Sequence, residues 1–157
     1  MNKIFLSLGS NIGDKKENLK KAINLLQENI SNVKLSKFYK TKPYGETNQD
    51  NFLNMVISGE TNLFPEELLE FVKNIENEIG RTQTYRWGPR IIDIDILFYD
   101  YLILETPDLI IPHIGIEKRD FVLKPLLDLE LNFVHPKLGK SVKELYEKLD
   151  KTTLTII

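Results

Sequence analysis

The chain has no cysteine among its 157 residues. Disulfides, thiolate metal sites and a cysteine nucleophile are therefore excluded, and nothing points to an oxidising compartment. Long apolar runs are missing too: Ile4 to Leu8, just after Met1-Asn2-Lys3, is the length of a strand and lacks the flanks of a signal peptide or a spanning helix. Neither G-x-x-x-x-G-K-[ST] nor G-x-G-x-x-G occurs, so any nucleotide must be held without the common glycine-rich cradles. The formal charge of −2, with Lys and Glu interleaved, gives no global reason to bind nucleic acid or an anionic membrane. The expected setting is the cytoplasm, with small molecules as partners.

Arginine is scarce as well. Seventeen lysines face four arginines, and Arg81, Arg86, Arg90 and Arg119 all fall between positions 81 and 119. Arginine offers a planar fork that grips phosphate or carboxylate at two points, so this confinement suggests local oxyanion recognition; chance clustering is the alternative.

What is present suits one domain over 1–157, since 41% of the residues are hydrophobic and the length leaves room for a single core. Ile4 to Leu8 reads as a strand. The turn Gly9-Ser10-Asn11-Ile12-Gly13-Asp14 leads into a helix with Asp14 and Glu17 spaced as a capping box. Leu19, Ala22, Ile23, Leu26 and Ile30 give that helix its apolar stripe. Val33 to Tyr39 and Phe52 to Glu60 read as strands on either side of a polar loop. Pro65-Glu66-Glu67 opens a second helix, with Leu68, Val72, Ile75 and Ile79 on its buried side and Gly80 at its end. Ile91 to Tyr99 alternates as a strand. A hairpin-like piece near Leu102 to Leu104 follows, then a turn at Ile111-Pro112-His113. A helix near Phe121 to Leu129, begun or kinked by Pro125, precedes a last helix capped by Ser141 and Glu144.

Strand, helix, strand, strand, helix, strand is the order of the ferredoxin-like split βαβ unit. The expected class is α+β, with a mainly antiparallel sheet, the first two helices on one face and the later ones on the other.

In Ile92-Asp93-Ile94-Asp95-Ile96 strand alternation sends the isoleucines to one face and both aspartates to the other, roughly 7 Å apart at a rise of about 3.3 Å per residue. Such a pair is unfavourable without cations, and a hard divalent ion such as Mg²⁺ suits carboxylate oxygens. Ordinary ion pairs with Arg86 and Arg90 are the commoner fate of an isolated D-x-D. Here the strand follows Arg86-Trp87-Gly88-Pro89-Arg90, two phosphate-capable forks around an indole, which favours phosphoryl-group chemistry.

Phe52 and Asn54 fall on one side of their strand, a ring beside an amide that suits a flat heterocycle or is simply a surface aromatic with a satisfied amide. His113 could reach a phosphate, or be a hydrogen-bonded structural histidine. Gly9 and Gly13 read as parts of the strand-to-helix turn. A catalytically inert anion-binding module and another D-x-D enzyme, such as a nucleotidyltransferase, are the other functional classes these residues allow.

Taken together, Arg86-Trp87-Gly88-Pro89-Arg90 followed by Asp93-Ile94-Asp95 resembles the 6-hydroxymethyl-7,8-dihydropterin pyrophosphokinase family. The likeness extends through Leu8-Gly9-Ser10-Asn11, Phe38-Tyr39-Lys40-Thr41, Phe52-Leu53-Asn54, Pro112-His113 and Arg119-Asp120-Phe121. It implies a ferredoxin-like α-β-α sandwich, usually monomeric, that transfers the β,γ-diphosphate of ATP to the hydroxymethyl group of a reduced pterin in folate biosynthesis and releases AMP. By position it makes Asp93 and Asp95 ligands of two Mg²⁺ ions. Arg81, Arg90, His113 and Arg119 would contact phosphates, with Glu76 on the nucleotide side. Phe52 and Phe121 would sandwich the pterin, Asn54 would bond its edge, Thr41, Pro43 and Tyr44 would complete the pocket, and Trp87 would ride on a lid. The chain departs from the pattern in a loop at Arg81 to Tyr85 that looks one residue shorter, with Gln83 where a second arginine often stands. Tyr44 also replaces a small aliphatic residue. No residue stands out as general base: Asp95 or a metal-bound water could serve, and a carboxylate engaged by Mg²⁺ is a poor base.

Overall fold

The computed structural model describes residues 1–43, 49–80 and 91–157. Its main sheet is built on β1 (Asn2–Ser10), which pairs antiparallel with β4 (Phe52–Thr61) on one side and β5 (Asp93–Tyr99) on the other. β2 (Ser31–Leu35) and β3 (Tyr39–Thr41) both pair with β4, giving the order β2-β4-β1-β5, the split βαβ arrangement that the order of elements predicts.

Two helices cover one face. In α1 (Lys15–Leu26) the Asp14 carboxylate accepts the Glu17 N–H, capping the first turn as its spacing predicts. In α2 (Pro65–Ile79) the Phe64 N–H donates to the Glu67 carboxylate, and Gly80 closes the helix by donating to the Glu76 carbonyl. Leu19, Ala22 and Leu26 of α1 and Leu68, Val72 and Ile75 of α2 meet Ile4, Leu6, Leu8, Met55, Ile57, Ile94 and Ile96 of the sheet. On the opposite face α3 (Asp120–Glu130) and α4 (Val142–Glu147) bury Val122, Leu123, Leu126, Val142 and Leu145 against Phe5, Val56, Leu97 and Phe98. The result is a three-layer α-β-α sandwich.

β5 changes phase partway along. Phe5 faces Phe98 but Leu6 faces Ile96, so Leu97 is an extra residue, a bulge. Leu97 and Phe98 consequently both join the α3 side, where Phe98, Phe5 and Phe133 pack with ring centroids 4.7 to 5.8 Å apart.

Besides this bulge and a start at Asp93 instead of Ile91, the structure differs from the sequence reading in three places. The run Val33 to Tyr39 is two strands, because the buried Ser36 hydroxyl accepts the Val56 N–H that a continuous ladder would use. Pro125 does not begin α3; it lies in its second turn, where its missing N–H forgoes only the bond to the Phe121 carbonyl. Gly9 and Ser10 belong to β1, not to the turn. The hairpin expected near Leu102 to Leu104 is β6 (Leu104–Glu105) against β7 (Ile110–Ile111). Among the described residues no helix is long and apolar enough to cross a membrane.

Buried His135 sets an acid limit on this fold. Its Nδ1 accepts the N–H groups of Lys137 and Leu138, its ring stands edge-on to Phe98, and burial holds its pKa below the ordinary histidine value. The folded state thus favours the neutral ring. The contribution is complete above the unfolded value of about 6.5 and is lost as pH falls from there towards the folded value. Urea midpoints measured from pH 7.5 to 5 should fall more steeply for the parent chain than for His135→Gln.

Candidate active site

The site lies where the α3 face of the sheet outruns its hydrophobic cover. On this face the central strand presents Phe5, Ser7 and Gly9 in turn, because Ile4, Leu6 and Leu8 point into the other core. Register then decides the neighbours. Gly9 lies between Asn54 of β4 and Asp93 of β5, and Ser7 between Val56 and Asp95. With strands about 4.8 Å apart, Asn54 and Asp93 are about 10 Å apart, separated by one bare glycine.

That glycine is a spatial requirement. A Cβ on Gly9 would lie 2.5 Å from Asn54 Oδ1 and 3.5 Å from a Phe52 ring carbon, which also shows that both side chains lean over Gly9 as alternation predicts. Asn54 Nδ2 donates to Thr41 Oγ1 at 2.6 Å, and Thr41 is buried beside Phe52 in the β3–β4 pairing. The amide is thereby fixed, with its oxygen over the glycine. Pro43, half-buried, follows β3. Asn11, itself buried, donates to Gln49 Oε1 and to the Asp50 carbonyl, and Lys15 donates to the Asn51 carbonyl. These bonds fix the approach to β4 against the end of β1.

Asp93 and Asp95 share the α3 face, opposite the buried Ile94 and Ile96. β5 is an edge strand, and Glu76 of α2 reaches over that edge to accept the Ile94 N–H at 2.8 Å. Burial pushes the Glu76 carboxyl up to about 7; the Ile94 bond opposes this and the Asp93 charge adds to it. Lys73 stands 3.5 Å from its other oxygen. The Asp95 carboxyl is likewise raised, first by burial and then by Asp93, against the pull of His113 and Arg119. Crowded carboxylates of this kind favour an added cation. Among the described residues no cluster of three His, Asp or Glu has metal-binding geometry. Asp93 and Asp95 are the two oxygen donors that could hold a hard ion whose remaining ligands come from water and substrate, the usual Mg²⁺ arrangement.

The Leu97 bulge also positions His113. The His113 N–H donates to the Leu97 carbonyl at 3.0 Å, its Nδ1 faces the Ile114 carbonyl at 2.9 Å, and its Nε2 stands 3.8 Å from Asp95 Oδ1. With Nδ1 as the donor to that carbonyl, Nε2 is turned towards Asp95. Arg119, just before α3, lies over the Phe121 ring with its guanidinium carbon 5.7 Å from the centroid.

The structure therefore groups Phe52, Asn54 and Thr41 on one side, Glu76, Asp93, Asp95 and His113 on the other, and Arg119 with Phe121 at the start of the covering helix. Tyr44, Arg81, Arg86, Trp87 and Arg90, and the Gln83 loop, lie outside the described residues. Sequence reasoning missed Gly9 and Asn11 as parts of this arrangement. A glycine inside an apolar strand run is a known sign of close approach and could have exposed the first; Asn11 acts through partners distant in the chain.

The fold and site define a small α-β-α sandwich in which an aromatic and amide recess adjoins paired carboxylates and cationic side chains, the architecture of a group-transfer enzyme. A family profile described as 7,8-dihydro-6-hydroxymethylpterin-pyrophosphokinase (HPPK) matches residues 5–131. The 2-amino-4-hydroxy-6-hydroxymethyldihydropteridine pyrophosphokinase of Aquifex aeolicus is 46% identical over 141 residues, covering 90% of this chain and 88% of that one. The folic acid synthesis protein FOL1 of Dictyostelium discoideum is 44% identical over 137 residues, 87% of this chain but 21% of its own length. The fold matches a crystal structure of Plasmodium falciparum HPPK-DHPS with a TM-score of 0.75 at 19% identity, over 94% of this chain and 44% of that one. The chain belongs to the 7,8-dihydro-6-hydroxymethylpterin-pyrophosphokinase family and is a pyrophosphokinase.

The close approach at Gly9 can be measured directly. Gly9→Ala should cost about 1–3 kcal/mol in urea unfolding, because the new methyl must displace the Asn54 amide. In an Asn54→Ala background the cost should fall by about 1 kcal/mol or more, the coupling expected of residues in contact; equal costs in the two backgrounds would rule the contact out.

Proposed function

We propose that this pyrophosphokinase of folate biosynthesis transfers the β,γ-diphosphoryl group of ATP to the hydroxymethyl oxygen of 6-hydroxymethyl-7,8-dihydropterin, releasing AMP, and works as a cytoplasmic monomer. The observation that carries the reading is the register across β1, which sets the Asn54 recess beside the acid pair with Gly9 between them.

On the recess side Phe52 and Phe121 receive the pterin ring face to face, and Asn54, held by Thr41, reads its polar edge. Pro43 and Tyr44 form the rim. A flat heterocycle suits this pairing of ring and amide, since stacking buries its faces while the amide satisfies edge groups that would otherwise be buried unpaired.

On the acid side Asp93 and Asp95 hold two Mg²⁺ ions. Bound there, the ions offset charge on the triphosphate. Arg81, Arg90, Arg119 and His113 bind phosphate oxygens, Glu76 stands on the nucleotide side, and Trp87 closes over the site. The pterin hydroxyl oxygen attacks the β-phosphorus in line and gives up its proton to water, the bond from the β-phosphorus to the bridging oxygen of the α-phosphate breaks, and AMP leaves with that oxygen. Positioning and fixed charge supply the acceleration.

Given MgATP and the reduced pterin, the purified chain should form AMP and pterin diphosphate in equal amounts; ADP or free pyrophosphate as the product would refute the reading. Asp95→Ala should lower kcat by about a hundredfold or more without lowering the thermal midpoint, because it removes a carboxylate whose charge burial disfavours and no core volume. Phe52→Ala should weaken pterin binding about tenfold in titration calorimetry and leave MgATP within about twofold. Equal losses for both ligands would count against the sandwich.

A further inference from the structure

Asp120 is almost wholly buried, at 3% exposure, between Arg119 and Phe121 at the start of α3. An acid at a helix N-terminus is ordinary. Its bonding here is not, because the carboxylate turns away from its own helix. Oδ2 accepts the N–H groups of Thr155 and Ile156 at 2.7 and 2.9 Å, and Oδ1 accepts the Thr155 hydroxyl at 2.7 Å.

The same residues pair with β3. The Lys42 N–H donates to the Thr155 carbonyl, the Ile157 N–H donates to the Lys40 carbonyl, both at 2.9 Å, and Thr41 bridges Ile156 antiparallel. β3 is three residues long and pairs on its other side with Phe52, Leu53 and Asn54. One continuous path thus runs from Phe121 through Asp120 and residues 155–157 to Thr41, and on to Asn54.

We propose that residues 155–157 are a strap joining the two walls of the pterin pocket, and that Asp120 is a positioning residue for pterin recognition. The inference rests on the placement of the pterin between Phe52 and Phe121. The strap sets the gap between those rings by fixing the first turn of α3 to the β3 edge. It reaches substrate only through its neighbours, so its loss misplaces Phe121 and Thr41 without removing any contact group.

The other end of α3 provides a matched control. Asp128 Oδ2 accepts the Tyr39 hydroxyl at 2.7 Å and the Lys37 N–H at 3.1 Å, tying the helix to Lys37 and to the first residue of β3, at the end of that strand away from Thr41. Both carboxylates anchor α3; Asp120 does so at the pocket.

Steady-state kinetics on the full chain separate positioning from mere stability. Asp120→Ala should raise the pterin KM about tenfold with kcat reduced less than about threefold and the ATP KM within about twofold, the scale expected of a small misplacement. Asp120→Asn should restore part of the loss. Asp128→Ala should lower the thermal midpoint but leave the pterin KM unchanged. Equal pterin KM values for Asp120→Ala and Asp128→Ala would overturn the proposal. Should Asp120→Ala not fold, Asp120→Asn and Thr155→Val carry the test, and an unchanged pterin KM in both overturns it. Phe121→Ala tests the underlying reading: if it leaves the pterin KM unchanged the sandwich itself is wrong, whereas a raised value beside normal Asp120 variants rejects only the strap.

Discussion

The backbone pairing of β1 with β4 and β5 is the interaction on which the rest depends. Each pairing is antiparallel; β1 keeps one register with β4 along its whole length, and with β5 it keeps one register from Leu6 to Gly9, past the Leu97 bulge. Side chains at a given level of a sheet are neighbours whether or not they attract one another. An amide and two carboxylates can therefore be held near each other with no contact between them, the spacing set by hydrogen bonds between main chains. Helices on both faces keep that spacing rigid.

Electrostatics then acts against the fold at one end of this frame. Glu76, Asp93 and Asp95 crowd the last turn of a helix and the start of an edge strand, and the raised carboxyls of Glu76 and Asp95 record the cost. The hydrophobic layers on either side carry that cost because they are continuous beneath it, from Ile94 and Ile96 to Phe5 and Phe98. Strain of this kind concentrates at sites that acquire charge from a ligand.

Much of the architecture was legible in the sequence because it is written in local patterns. The stripes of α1 and α2, the Asp14 and Ser141 caps and the alternation around Asp93 and Asp95 each fit within a dozen residues. The second half of β5 was not legible, because the bulge at Leu97 is set by pairing with Phe5 and changes the phase that alternation predicts. The break in the strand at Ser36 depends on Val56, twenty residues away. At the site, Phe52, Asn54, Asp93 and Asp95 could be placed by period alone. Gly9 could not, since its meaning comes from the Asn54 oxygen above it, and Asp120 could not, since its donors lie thirty-five residues further along the chain.

The aspartates of β5 also bear on how the chain finds its register. A slip of one residue against β1 would turn Asp93 and Asp95 towards Leu8, Leu19 and Val72, and would bring Ile94 and Ile96 into water. Two carboxylates in an aliphatic layer would cost several kcal/mol each, a large part of the net stability of a domain this size. The misaligned sheet is thus excluded by the same groups that crowd the aligned one. The acids act as a key that turns in one orientation, and neutral replacements would relax the choice of register without weakening the aligned sheet.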